Sequence, residues 1–256
     1  MTTTLYWQTE GQGDDLVLIH GWGMNGAVWQ HLLPQLTPHY RVHVVDLPGY
    51  GLSGDADAGN LDEVVQLLLE NSPPTATWIG WSLGGLVATR AALLAPEKVS
   101  RLVTVASSPC FAAQGVWRGI KPAVLTDFRQ QLAQDFDGTV GRFMALQAMG
   151  SPTARQDVRQ LKEAVLSRPA PQPAALAAGL QMLAEVDLRP QLDVIAQPWL
   201  RLYGRLDGLV PVKVAEHMDA LAPLSQRQVF ASASHAPFIS HPSEFADTLL
   251  SFLASE

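Results

Sequence analysis

Short apolar runs punctuate this chain, and longer stretches with helical spacing lie between them. Leu16-Val17-Leu18-Ile19 is the first core run, ended by His20-Gly21-Trp22-Gly23. Arg41-Val42-His43-Val44-Val45-Asp46 is the second, ended by Leu47-Pro48-Gly49-Tyr50-Gly51. Thr77 to Ile79 is the third and Val99 to Val105 the fourth. Trp199 to Tyr203 and Gln228 to Phe230 read as two more. Brief apolar runs bounded by turn residues predict buried strands. Leu61 to Glu70 and Leu86 to Leu94 predict helices between them. Strands alternating with helices predict an α/β fold, a mostly parallel sheet flanked by helices on both faces. Such sheets place their ligand crevice at the carboxyl ends of the strands. His20, Asp46, Ser82, Asp207 and His235 all fall just after predicted strands, so chemistry is expected on that edge.

The rhythm breaks between residues 111 and 184. That stretch holds no convincing strand, is punctuated by prolines, and reads as several helices. It divides the chain into a core of residues 1–110 and 185–256 and a helical lid inserted at 111–184. No internal repeat is visible, and Asp55 to Asn60 reads as a surface loop.

Composition narrows the class. The 256 residues are 47% hydrophobic and 16% charged, enough to bury a large core. A net charge of −7 argues against general nucleic-acid binding. No apolar run is long enough for a membrane-spanning helix. The amino-terminal stretch Met1 to Gln8 lacks the basic and apolar regions of a secretion signal. The single cysteine, Cys110, has no internal partner for a disulfide. Together these features predict a cytoplasmic enzyme. Nothing advertises a subunit interface, so a monomer is expected.

Gly80-Trp81-Ser82-Leu83-Gly84 carries the sharpest chemical signal. It lies between a predicted strand and a predicted helix, the setting in which G-x-S-x-G forms a nucleophile elbow. The tight turn exposes the Ser82 hydroxyl, and the residues two before and two after must be tiny. A serine hydroxyl needs a base within hydrogen-bond reach, and histidine is the suitable one near neutral pH. A carboxylate then fixes the imidazole. In chain order Ser, acid, His, the candidates are Asp207, in Gly204-Arg205-Leu206-Asp207-Gly208, and His235, in Ser234-His235-Ala236-Pro237. The rivals are weaker. His241 reads as a helix start, and Asp193 precedes its strand and faces the wrong edge. His31, His39, His43 and His217 sit in contexts with no partner signal. The oxyanion is expected at the backbone amides of Leu83 and Trp22, with Gly21 and Gly23 allowing close approach. His20 is expected to pin that loop through its ring.

The lid carries eight Lys or Arg against five Asp or Glu, a net +3, which leaves −10 for the rest. That asymmetry points to an acidic partner. Ser151-Pro152 reads as a helix start with Pro at the first helical position. From there Arg155, Arg159 and Lys162 share one face, and Val158, Leu161 and Val165 another. Taken alone, those charges suit a solvated face as well as a docking face.

These motifs resemble the α/β hydrolases over nearly the whole length. The closest resemblance is to the family of pimeloyl-[acyl-carrier protein] methyl ester esterases of biotin synthesis. It is carried by Leu18-Ile19-His20-Gly21-Trp22-Gly23-Met24-Asn25, Val45-Asp46-Leu47-Pro48-Gly49-Tyr50-Gly51 and Gly80-Trp81-Ser82-Leu83-Gly84-Gly85. Ala106-Ser107-Ser108-Pro109-Cys110-Phe111, Ala145 to Gly150, and Tyr203 to Pro211 add to it. The resemblance implies a serine carboxylesterase that removes the methyl cap of a pimeloyl chain held on acyl carrier protein. It implies docking of that carrier on Arg142, Arg155 and Arg159, and contact of the acyl chain with Phe143, Met144, Ala145, Leu146 and Gln147. Gly138 stands one turn before Arg142 where a further basic residue is expected, which implies weaker docking. No metal, cofactor or membrane is implied. Two other readings stay open at this stage. One is a general short-chain esterase, lactonase or perhydrolase with the same triad; the other is a non-catalytic binding protein on this fold.

Overall fold

The computed structural model describes residues 4–132 and 134–255, without the side chains of Phe136 and Asp137. The first residues of the amino-terminal stretch therefore lie outside it, as does the side chain of one acid counted in the lid. Seven strands form one sheet: β1 (Trp7–Glu10), β2 (Asp14–Ile19), β3 (Tyr40–Val45), β4 (Ala76–Trp81), β5 (Val99–Val105), β6 (Trp199–Gly204) and β7 (Gln226–Phe230). Their order is β1-β3-β2-β4-β5-β6-β7. Every neighbouring pair is parallel except β1 with β3. The helices are α1 (Leu33–Leu36), α2 (Leu61–Asn71), α3 (Leu83–Leu94), α4 (Pro122–Leu132), α5 (Phe136–Ala148), α6 (Ala154–Leu166), α7 (Pro173–Glu185), α8 (Lys213–Leu221), α9 (Pro237–Ser240) and α10 (Pro242–Leu253).

The six strands read from apolar runs are all present, and β1 is an addition. Trp7-Gln8-Thr9-Glu10 lacks an apolar run, so its signal is not local. Its partner is β3, aligned Trp7 with Val45, and it turns into β2 through Gly11, at φ 83°. A Cβ at Gly11 would run into the Tyr40 carbonyl, so only glycine fits. The interior strands β4 and β6 are buried along their whole length, as parallel strands covered on both faces must be. Arg201 is the charged exception within β6. Its guanidinium reaches Asp219 at 2.7 Å, Ser225 at 2.7 Å and the Ala215 carbonyl at 3.2 Å, which removes the penalty of an unpaired buried charge.

The helices α4 to α7 are inserted between β5 and β6. The two ends of the insertion meet where Cys110 bridges Asp187 and the Leu188 amide donates to the Pro109 carbonyl at 2.9 Å. Residues 111–121 are a non-helical strap, with bridges between Ala112 and Ile120 and between Gln114 and Trp117. The helix expected from Ser151-Pro152 begins later, with Thr153 as its N-cap. Ser151 instead donates to the buried Asp157 carboxylate at 2.8 Å and accepts from the Thr153 amide at 3.2 Å. Leu161 and Val165 are buried, whereas Arg155, Arg159 and Lys162 face solvent. No helix among the described residues is long and apolar enough to cross a membrane.

Candidate active site

Ser82 sits between the end of β4 and the start of α3 with φ 56° and ψ −119°, a conformation unfavourable for any side chain. Packing imposes it. A Cβ at Gly80 would collide with the Gly84 carbonyl, and one at Gly84 with the carbonyls of Ile19 and His20. The helix therefore closes on β4 and on the end of β2 only through glycines. The turn is tied below by the Ser82 amide, which donates to the Val105 carbonyl at 2.9 Å. Ser107 Oγ donates to the Ser82 carbonyl at 2.8 Å.

The structure brings Ser82, His235 and Asp207 together from three loops at one sheet edge. His235 Nε2 lies 2.9 Å from Ser82 Oγ, and His235 Nδ1 lies 2.7 Å from Asp207 Oδ2. A carboxylate only accepts, so Nδ1 carries the proton and Nε2 is left to take one from Ser82. The other carboxylate oxygen of Asp207 accepts from the amides of Leu209 and Val210, at 2.8 and 3.0 Å, which fixes its plane. His235 is held through its own backbone. Trp81 Nε1 donates to its carbonyl at 2.8 Å, and its amide donates to the Gln147 carbonyl at 3.1 Å. Ser82 is 3% exposed and His235 0%, so the group is shielded from bulk water.

The loop after β2 lies against the serine. A Cβ at Gly21 would stand 3.2 Å from Ser82 Cβ. Among the described residues no hydrogen-bond partner is recorded for the Trp22 or Leu83 amides, and Ser82 makes no side-chain cap to α3. Two unused donors beside a serine, one at a helix start, suit an oxyanion. His20 holds this loop. Its Nδ1 donates to the Gly21 carbonyl at 2.8 Å and its Nε2 accepts from the Leu47 amide at 3.0 Å. That pattern requires the neutral ring. Burial pushes the His20 pKa down to about 4, against the opposing pull of the Asp46 carboxylate.

The stretch 143–147 does not present one face. Phe143, Met144 and Gln147 are buried. Phe143 packs edge-on against Trp22, ring centres 4.6 Å apart, and so stands behind the candidate oxyanion loop. Gln147 Oε1 is buried with no partner among the described residues. Ala145 and Leu146 instead line an outer groove of about 400 Å³ between α4 and α5, with Arg142 at its side. Consecutive helical residues turn through about 100° each, so five in a row cannot share a wall. Arg142 reaches Thr139 at 2.9 Å and Asp135 at 3.5 Å. Arg159 pairs loosely with Glu163 at 3.8 Å, and no ion pair is recorded for Arg155 among the described residues. At Gly138 the amide donates to Asp135 Oδ1 at 3.0 Å, and a Cβ there would require the exposed Asp135 carboxylate to swing aside.

The rival histidines and acids lie elsewhere. His43 Nε2 meets Asp15 at 2.6 Å, His217 stacks on Trp117 and His241 meets Ser240 Oγ. Asp193 lies in the turn before β6. The sequence held no local signal for the supports from Trp81, Ser107 and the Gln147 carbonyl, because each reaches its partner only through the fold.

Residues 15–242 match the family model described as alpha/beta hydrolase fold. The chain is 73% identical to the pimeloyl-[acyl-carrier protein] methyl ester esterase of Photobacterium profundum, covering 99% of this chain and 100% of that protein. It is 63% identical to the esterase of the same name from Vibrio cholerae, covering 98% and 99%. Among solved structures, an esterase from Exiguobacterium antarcticum superposes with a TM-score of 0.87 at 24% identity, covering 98% of this chain and 96% of the other. A bromoperoxidase from Bacillus anthracis superposes with a TM-score of 0.88 at 21% identity, covering 98% and 95%. At these identities the structural likeness speaks for the fold alone.

Proposed function

The chain belongs to the α/β-hydrolase fold family and, within it, to the family of the pimeloyl-[acyl-carrier protein] methyl ester esterases; on that premise we propose that it hydrolyses the methyl ester of pimeloyl-[acyl-carrier protein] in biotin synthesis. The observation that carries the chemistry is the continuous hydrogen-bonded line from Ser82 through His235 to Asp207.

In this reading Ser82 Oγ attacks the ester carbonyl as its proton passes to His235 Nε2. The carbonyl oxygen becomes an oxyanion held by the Trp22 and Leu83 amides. The C–O bond to methoxide then breaks, and the proton on Nε2 leaves with it as methanol. Water enters, gives a proton to His235 and attacks the acyl-serine. The second intermediate collapses with the His235 proton returned to Ser82, and the acid released gives its remaining proton to solvent to become the free carboxylate. Asp207 keeps the Nδ1 proton in place and stabilises the imidazolium at each transfer. Phe143 and Met144 supply apolar walls for the acyl chain. Arg142, Arg155 and Arg159 face the acidic carrier. The reading includes a cytoplasmic, monomeric enzyme.

The test is incubation of the purified protein with the carrier-bound ester, scored by mass spectrometry for loss of the methyl group. Demethylation by the wild-type protein and none by Ser82→Ala is the expected result. Demethylation that survives Ser82→Ala would remove the serine mechanism. Hydrolysis of small esters with no action on the carrier-bound ester would leave a general esterase.

A further inference from the structure

Arg168, in the connection between α6 and α7, takes no part in the chemistry above. By sequence it is one of the eight basic residues counted in the lid, and its side chain is only 9% exposed. Its Nη1 donates to Asp46 Oδ1 at 2.6 Å and its Nη2 to Gln8 Oε1 at 2.9 Å. The guanidinium also lies over the Tyr6 ring, 5.0 Å from its centre.

Asp46 is fully buried at the end of β3. The same Oδ1 that takes Arg168 also accepts from the Gly26 amide at 2.6 Å, and Oδ2 accepts from the Leu52 amide at 2.8 Å. A Cβ at Gly26 would meet Val44 Cγ1 at 2.6 Å and stand 3.1 Å from both Arg168 Nη1 and Asp46 Oδ1, so the position is crowded by the strand below and the ion pair beside it. Gly26 closes the loop that begins at Gly21 and carries the Trp22 amide. Asn25, the residue between, caps Ala27 with its Oδ1 and donates to the Val165 carbonyl of α6 at 3.2 Å. Trp22 Nε1 donates to the Leu176 carbonyl of α7 at 2.8 Å. The loop is thus held at its far end by a carboxylate whose only side-chain cation among the described contacts comes from the insertion.

We propose that Arg168 is a positioning residue for ester hydrolysis: by neutralising Asp46 it fixes the Gly26 amide, and with it the Trp22 amide that faces the oxyanion. The consequence is a direct link between the seat of α6 and α7 on the core and the geometry at the reacting carbonyl. Without a cation, a buried carboxylate with two backbone donors seeks water and loosens its hold. The Arg168 charge further opposes the pull of Asp46 on His20, the other anchor of this loop. The inference rests on the oxyanion role given to Trp22 above, but not on the identity of the carrier-bound substrate.

The test compares wild type, Arg168→Gln and Arg168→Lys on p-nitrophenyl propionate, well below the unfolding temperature. Arg168→Gln is expected to lower kcat by roughly 10- to 100-fold with KM little changed, since the misplacement is felt in the transition state. Its affinity for a trifluoromethyl ketone, which forms an oxyanion adduct with Ser82, should fall in proportion. Arg168→Lys should restore most of both by returning a cation to Asp46. If Arg168→Gln does not fold, Gln8→Ala releases one end of the guanidinium and so weakens its hold on Asp46, and a loss of about threefold in kcat and in ketone affinity is expected. Unchanged kcat in a folded variant, or a loss confined to KM, would overturn the proposal. Absence of ester hydrolysis by the wild type would instead overturn the functional reading beneath it.

Discussion

The catalytic edge of the sheet and the helical insertion above it are shaped by different forces. At the edge, geometry comes from backbone crowding around the strained Ser82: Gly80 stands against Gly84 within one turn of chain, and Gly84 stands against the carbonyls of Ile19 and His20. The insertion is instead stitched to the core across long separations. Arg168 reaches Asp46, Val165 receives Asn25, Leu176 receives Trp22 and Ala175 receives Tyr50, all more than a hundred residues apart. The stitches are also uneven. The α6–α7 half is tied to the loop proposed to hold the oxyanion, whereas α5 is tied through Gln147 and Met149 to the loop of His235 and Ser234. The hydrogen bonds of the two halves thus go to different loops of the proposed site, although Phe143 of α5 also packs on Trp22.

The largest effect should come from the edge. Ser82→Ala removes the nucleophile and should lower kcat on any ester by about 10⁴-fold or more without changing the circular dichroism spectrum. A loss of only a few-fold would place the chemistry elsewhere. Next is the steric claim. Gly84→Ala should lower stability by about 1–3 kcal/mol or more, seen as a drop in thermal midpoint, because the new methyl meets two carbonyls that cannot yield independently. An unchanged midpoint would show that the elbow has slack.

Acid sharpens the comparison from the other side. His20 has a folded pKa of about 4 against 6.5 unfolded, so between those values the unfolded chain binds the extra proton. Stability is therefore complete above about 6.5 and falls as pH drops towards about 4, by roughly 3 kcal/mol in all. Urea midpoints at pH 7 and 4.5 should show this loss, and His20→Gln should flatten it. An equal slope in the variant would assign the acid sensitivity to other groups. The smallest effect belongs to the exposed helix face. Arg155→Glu with Arg159→Glu should lower kcat/KM on the carrier-bound ester by about tenfold and leave a small free ester near wild type. Equal loss on both would mean that the charges support the fold.

The same contrast explains what the sequence disclosed. The elbow, its histidine and its aspartate are legible because each follows an apolar run and each obeys a local steric or chemical rule. The strand β1 is not, because Trp7 to Glu10 becomes a strand only by pairing with β3. The pairing of Arg168 with Asp46 is hidden for the same reason, and counting it toward the lid's net charge overstates the basic face. The insertion's net charge is further reshaped by Asp157, buried under the Ser151 hydroxyl. Ala145 and Leu146 fall among the expected acyl contacts as consecutive residues, although helical geometry turns them to the outer groove.

The most direct test of the central claim is kcat/KM for the pimeloyl methyl ester on its acyl carrier protein beside free dimethyl pimelate, at low and high salt. The account predicts a strong preference for the carrier-bound ester that shrinks as salt screens the carrier from Arg142, Arg155 and Arg159. Equal rates on the two esters, indifferent to salt, would contradict it.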